Sequence, residues 1–311
     1  MPKKILFMTT LILLAILTAC SNETPEQEED KIQVFTTVYP LQYFTERIAG
    51  DKVDVQSIYP PGSDEHTFEP TQKDMIALAD ADLFFYIGLG LEGFVENAQK
   101  TLKNEHVQLI ATADAITEDM LMHDEEDHED HDHDHGDMDP HVWISPILSD
   151  ALAYSIKDAL VKLSPENKDV FEANFEALRD DLLLLDRKYL DMTAAAPQKT
   201  FFVSHAAFGY LAETYGLEQI AVAGLNSQSE PSQKELAKLV EYAKAENIQY
   251  VLFEQNVSSK LTDIIRKEIG AESLTLHNLG VLTTEDVKNG EDYFSLMESN
   301  LKILEQALSG K

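Results

Sequence analysis

Phe171-Glu-Ala-Asn-Phe175-Glu-Ala-Leu178-Arg-Asp-Asp-Leu182-Leu-Leu-Leu185-Asp-Arg-Lys-Tyr189-Leu-Asp-Met192 is the stretch on which the architecture turns. Its apolar residues recur at alternating steps of four and three, and no glycine or proline interrupts the run from Glu166 to Ala196. Such spacing lays one narrow apolar stripe along a single long helix. A coiled-coil dimer would use the same stripe. The flanking sequence favours a rigid helix that connects two halves of one chain and packs on both.

On each side of that helix, strand and helix patterns alternate. Before it, Ile32 to Val38 reads as a strand, Leu41 to Ala49 as a helix stopped by Gly50, and Val53 to Ile58 as a second strand. Thr71-Gln-Lys-Asp74 opens a helix over Met75 to Ala81 as a capping-box variant, and Leu83 to Ile87 is a buried strand ended by Gly88-Leu-Gly90. After it, Thr200 to Ser204 and Tyr250 to Phe253 read as strands. Helices are expected from Ala206 to Gly216, from the capping box Ser232-Gln-Lys-Glu235 to Asn247, from Ser259 to Ile269, and over Tyr293 to Leu308. This alternation predicts an α/β fold of two lobes, each a parallel sheet with crossover helices.

The first residues address the compartment. Lys3 and Lys4 precede an apolar run from Ile5 to Leu17, shorter than the roughly 20 residues that span a bilayer, so it reads as a secretory signal. The only cysteine follows at once in Leu17-Thr-Ala-Cys20, which resembles a bacterial lipobox. That resemblance implies cleavage before Cys20 and a lipid anchor on its sulfur. A lone cysteine also excludes an intramolecular disulfide framework. The expected organisation is a signal peptide over 1–19, a lipid-anchored tether over 20–31, an N-terminal lobe over 32–164, the connecting helix over 165–196 and a C-terminal lobe over 197–311. The protein is then extracytoplasmic and held to the cell membrane through Cys20.

The 311-residue chain carries a formal net charge of −32, which argues against nucleic acid as a partner. Much of that charge lies in His123-Asp-Glu-Glu-Asp-His-Glu-Asp-His-Asp-His-Asp-His-Gly-Asp137, a segment that can build no core and reads as a solvated loop. Its imidazoles at His123, His128, His131, His133 and His135 alternate with carboxylates and offer auxiliary, weak metal sites. A purely solubilising acidic linker is the alternative.

Three other histidines sit where ligands would be expected. His66 lies in the turn-rich loop Pro60-Pro-Gly-Ser-Asp-Glu-His66, His141 in Asp139-Pro-His-Val-Trp143, and His205 directly after the strand ending at Ser204. In open α/β sheets, ligands bind beyond the carboxyl ends of strands, and two of the three are so placed, one per half. Each alone could equally be a satisfied loop or core histidine, and spacing cannot assemble a trio spread over two lobes.

Gly62-Ser-Asp-Glu-His-Thr-Phe-Glu-Pro70, Asp139-Pro-His-Val-Trp-Ile-Ser-Pro146 and Ser204-His-Ala-Ala-Phe-Gly-Tyr210 resemble, in order, signatures of the zinc and manganese substrate-binding lipoproteins of bacterial ABC importers. Val34 to Pro40, Ala223-Gly-Leu225 and Leu252-Phe-Glu254 extend the similarity over essentially the whole chain. The resemblance implies two α/β lobes joined by a long rigid helix, metal in the cleft between them, and His66, His141 and His205 as ligands. Manganese-type members carry an acidic residue where His205 stands, and three imidazoles suit zinc, so Zn2+ is the expected cargo and the importer permease the expected partner, with a monomer docking to it. Zinc members often take a fourth, acidic ligand from a second-lobe loop. Here the matching stretch Leu276-His-Asn-Leu-Gly280 has Gly280 at that position. Glu65, His277 or a water are the candidates in its place.

Two other classes compete. Three histidines with an open position also describe a catalytic zinc, with Glu65 or Glu69 as base. No His-Glu-x-x-His motif, nucleophile elbow or phosphate-binding glycine loop accompanies them, and Pro70 follows Glu69 at once. The expectation is therefore a binding protein and no enzyme. A manganese-binding importer component, or a surface adhesin lipoprotein, is the remaining alternative.

Overall fold

Strand β1 (Ile32–Thr36) runs into helix α1 (Tyr39–Ala49), whose first turn holds Pro40, and the chain returns along β2 (Val53–Ser57). This computed structural model describes residues 31–122, 138–229, 231–256 and 259–310. The expected signal peptide over 1–19, Cys20 and the histidines from His123 to His135 lie outside the described residues. A long loop leads to α2 (Gln72–Ala79), where the expected capping box is present: the Thr71 hydroxyl accepts from Asp74 N, and Thr71 N donates to the Asp74 carboxylate. Strand β3 (Leu83–Tyr86), α3 (Val95–Thr101) and β4 (Gln108–Ala111) complete the first lobe's sheet, ordered β2-β1-β3-β4 and parallel throughout.

Helix α4 (Pro146–Leu163) precedes the long helix α5 (Lys168–Ala195). The second sheet repeats the first one's plan: β5 (Thr200–His205), α6 (Gly209–Thr214), β6 (Glu218–Ala223), α7 (Gln233–Ala245), β7 (Tyr250–Phe253), α8 (Lys260–Ile269) and β8 (Glu272–Thr275). Its order is β6-β5-β7-β8, again all parallel. Short α9 (Thr284–Asn289) and α10 (Tyr293–Ala307) close the chain. Residues 32–311 form one compact unit. Among the described residues, no helix is long and apolar enough to cross a membrane.

The 28 residues of α5 span roughly 42 Å at 1.5 Å per residue. Phe171, Phe175, Leu178, Leu182, Leu185, Tyr189 and Met192, the stripe read from the spacing, are all buried. They face α1 and α4 from the first half and α10 from the second. Polar contacts tie the same three elements: Arg47 on α1 pairs with Asp181 at 2.7 Å, Arg179 Nε donates to Asp150 on α4 at 3.0 Å, and the buried Tyr189 hydroxyl donates to Met297 O on α10 at 2.8 Å. The stripe is therefore consumed within the chain and works as a strut under both lobes. Aromatic contact across the joint, Phe44 against Tyr293 at 4.9 Å, stiffens it further.

One expected element is shorter than its sequence pattern. The helix anticipated from Ala206 begins only at Gly209. Ala207 N bonds back to His205 O at 2.9 Å, and Phe208 N is taken by the Gln219 side chain at 2.7 Å. A tight turn after β5, held from β6, occupies the residues that would have formed the first turn.

Candidate metal centre

Each of the three histidines reaches the cleft from a different kind of position. His205 is the last residue of β5, at the point where the second sheet's strand order reverses between β5 and β7. His66 stands on the loop after β2, and His141 just ahead of α4. Two of the turns share one device. In Asp64-Glu-His66 the Asp64 carboxylate accepts the His66 backbone N–H at 2.9 Å, and in Asp139-Pro-His141 the Asp139 carboxylate accepts that of His141 at 2.9 Å. Such Asx turns fix the backbone two residues on, so both imidazoles are presented by locally determined loops.

The rings converge into a near-equilateral triangle. Centroids lie 5.1 Å apart for His66–His141, 5.1 Å for His66–His205 and 4.9 Å for His141–His205. One ring nitrogen from each lies within 4.8 Å of the others, and this is the metal-capable cluster among the described residues. His66 Nε2 and His141 Nε2 are 3.2 Å apart. A tetrahedral zinc with Zn–N bonds of about 2.0–2.1 Å sets ligand nitrogens about 3.3 Å apart, so this pair already has the required spacing.

Behind the rings stand the partners that orient metal-binding histidines. His141 Nδ1 lies 2.7 Å from Asp139 Oδ1, which leaves Nε2 for the cleft. Gly209 makes that possible, because a Cβ there would sit 2.7 Å from Asp139 Oδ2. His205 Nδ1 meets both Glu254 oxygens at 3.0 and 3.1 Å, and its Nε2 lies 2.8 Å from Leu225 O. Burial lowers the His205 pKa, but the Glu254 charge and hydrogen bond outweigh it and raise the ring to about 9. Burial acts the opposite way on Glu254, raising it, yet the His205 charge and hydrogen bond hold that carboxyl below its ordinary range. His66 has no such partner. Burial, then the charges of His141 and His205, lowers it to about 2 and keeps it a neutral donor.

Neither protein candidate for a fourth ligand joins the triangle. Glu65 is buried, and its Oε1 accepts from Asn278 Nδ2 at 2.8 Å. His277 faces elsewhere: its Nε2 lies 3.1 Å from Asp286, and its Nδ1 accepts the Leu279 N–H at 2.9 Å. Both of its ring nitrogens are engaged away from the cleft. Glu69, the other base considered, is exposed. Sequence reasoning assigned no role to Asp139, Glu254 or Asn278. Asp139 could have been found from its place two residues before His141. Glu254 needed the strand order, since only the β5–β7 pairing sets it beside His205.

A cavity of 810 Å3 opens beside β6 and is lined in part by Ala206, Leu225 and Asp139. None of the three imidazoles lines it, and a single ion needs no such volume. The triangle is the candidate site.

The sequence profile described as zinc-uptake complex component A, periplasmic (ZnuA), matches residues 34–307. The chain is 39% identical over 310 residues to the zinc-binding lipoprotein AdcA of Streptococcus pneumoniae serotype 4, covering 98% of this chain and 61% of that protein. It thus spans about three-fifths of the length of the streptococcal relatives it matches. The high-affinity zinc uptake system protein ZnuA of Bacillus subtilis is 38% identical over 301 residues, 94% of each chain. Among solved structures, the Zn(II)-bound ZnuA-like domain of S. pneumoniae AdcA superposes with a TM-score of 0.75 at 38% identity, over 90% of this chain and 99% of that one. The ordered histidine motifs, the two parallel-sheet lobes on a long helix and these likenesses agree, and the chain belongs to the zinc-uptake complex component A family.

Proposed function

We propose that this chain captures Zn2+ outside the cytoplasm and hands it to the permease of an ABC importer. The observation that carries the reading is the triangle of imidazoles, two of them backed by buried carboxylates, contributed from both lobes. His66, His141 and His205 hold the ion as neutral nitrogen donors, a set that suits zinc better than manganese. Water completes the coordination, and the cargo stays releasable. The names of the relatives, a zinc-binding lipoprotein and a zinc uptake protein, point the same way.

The rest of the chain serves delivery. Residues 1–19 direct export, Cys20 carries the lipid, and 20–31 tether a monomeric body to the membrane. Lobes over 32–164 and 197–311, joined by the helix over 165–196, form the cleft. The histidines from His123 to His135 gather zinc weakly. No hydrolase activity is expected, since Glu65 is engaged by Asn278 and Glu69 faces solvent.

Zinc and manganese titration of the full chain in detergent tests the reading. The expected result is one tight zinc site that is lost when His66, His141 and His205 are all changed to alanine, with manganese far weaker. Tight manganese binding, or a tight zinc site that survives the triple change, would overturn it. If the triple variant still supported growth in zinc-depleted medium, adhesion would replace transport as the physiological role.

A further inference from the structure

His66 is held differently from the other two imidazoles. Carboxylates orient the rings of His141 and His205. Among the described residues, no group hydrogen-bonds His66 Nδ1, and its Nε2 meets only His141 Nε2, at 3.2 Å. It is also the one ring of the three that is not fully buried. Its position must therefore be set through the loop that carries it. Asp64 fixes the backbone ahead of it. Behind it, Phe68 turns back onto the first lobe, where its ring meets Tyr59 edge-on at 5.0 Å and Phe94 at 6.1 Å. The buried Tyr59 also donates its hydroxyl to Glu65 O at 3.3 Å. One side chain thus grips the loop on both sides of the ligand.

The aromatic cluster is itself anchored on the first sheet. Tyr59 N donates to Ser57 Oγ at 3.1 Å, and that hydroxyl donates to Thr37 O at 2.8 Å. Phe94 is buried and packs on Phe84 of β3 at 6.3 Å. The turn that delivers Phe94 is pinned by the buried Glu92. Its Oε1 accepts from Ile87 N and Thr37 Oγ1, both at 2.8 Å, and its Oε2 from Gly88 N at 3.0 Å. Both anchors meet at Thr37, the residue directly after β1.

We propose that Tyr59 and Phe68 are positioning residues for the cargo ion, an aromatic clamp that holds the His66 loop in ligating register. They do for His66 what Asp139 and Glu254 do for the other two rings. Edge-on aromatic contacts have a preferred direction, so the Tyr59–Phe68 pair fixes the course of the chain through His66. A ligand is held to its productive geometry only as well as the packing behind it is locked. The inference rests on the three-histidine zinc reading above.

The test measures zinc affinity of the full chain and its variants by competition with chelators of graded strength. Phe68→Ala removes the ring and is expected to weaken binding about tenfold, the lower end of what outer partners give a metal site. Phe68→Tyr keeps the ring and should restore the affinity. Tyr59→Phe removes only the hydroxyl tie and should cost about threefold, the weak end of a single hydrogen bond; it decides alone if Phe68→Ala does not fold. In a His66→Ala background neither change should cost anything further, whereas a general loosening of the lobe would weaken binding in both backgrounds. Unmoved affinity in the variants, no rescue by Phe68→Tyr, or losses that persist with His66→Ala would overturn the clamp alone. Absence of a tight zinc site in the unsubstituted chain would overturn the zinc reading and the clamp together.

Discussion

His66 and His205 lie in one triangle, yet their surroundings drive their protons in opposite directions. Buried without a counter-charge, His66 is neutral down to about pH 2, whereas His205, held by Glu254, keeps its extra proton up to about 9. Metal must displace that proton. Below about pH 9 the metal-free protein carries it, so each unit of acidification is expected to weaken zinc binding about tenfold between pH 9 and 7, while above 9 the affinity levels off. Competition titrations against a chelator of known pH dependence would measure the slope; a flat profile from 7 to 9 would refute it. In Glu254→Gln burial is left without its main counterweight, so the slope should move well below pH 9, with an overall affinity loss of about 10–100-fold. The three histidines could be singled out from their loops, two of them beyond strand ends, but no spacing joined them, and the set came from the resemblance of their motifs to the importer lipoproteins. Their supporting partners were not legible. Asn278 reads as an ordinary loop residue until two lobes bring Glu65, 213 positions away, within 2.8 Å of it. His277 looked like a substitute ligand by proximity alone, and only folding shows that Asp286 holds its Nε2.

Helix α5 is the element whose pattern and packing agree most closely. Its apolar steps of four and three match the buried side of a helix that never leaves the protein. Leu182, 1% exposed at mid-helix, lies on that side. Leu182→Ala is expected to cost about 2–5 kcal/mol of stability through lost burial and the cavity left behind. Urea unfolding would read this as a lower midpoint with an unchanged slope; a loss below about 1 kcal/mol would mean that the stripe is not a packed strut. Strands β4 and β8 escaped the sequence reading for a physical reason. Gln108-Leu-Ile-Ala111 and Glu272-Ser-Leu-Thr275 are short edge strands with no residue buried on either, so no two-residue alternation marks them. The overlong helix at Ala206 failed differently: Gln219, on the neighbouring strand, captures a backbone donor that helix propensity alone would have used.

For the molecule as a whole, the proposed capture has the charge of −32 and the cleft acting on the same cation at different ranges. A field of this sign raises the local concentration of divalent ions and is screened by salt, but it cannot coordinate them tightly. Deleting residues 123–137 is therefore expected to remove weak zinc sites and slow capture at low ionic strength while leaving the tight site's affinity unchanged. Stopped-flow capture with equilibrium titration would separate the two effects, and loss of the tight site would show that the segment contributes ligands. Lobe movement on loading should be small, because α5 packs on both lobes and the loop after β8 is hydrogen-bonded to the first lobe at three backbone carbonyls. The most direct measurement is zinc-edge X-ray absorption on the full chain loaded with one equivalent of zinc, beside the triple-alanine variant. Three imidazole nitrogens at about 2.0–2.1 Å, lost in the variant, is the expected first shell. A shell dominated by carboxylate oxygen, or one that the triple change leaves intact, would contradict capture by His66, His141 and His205.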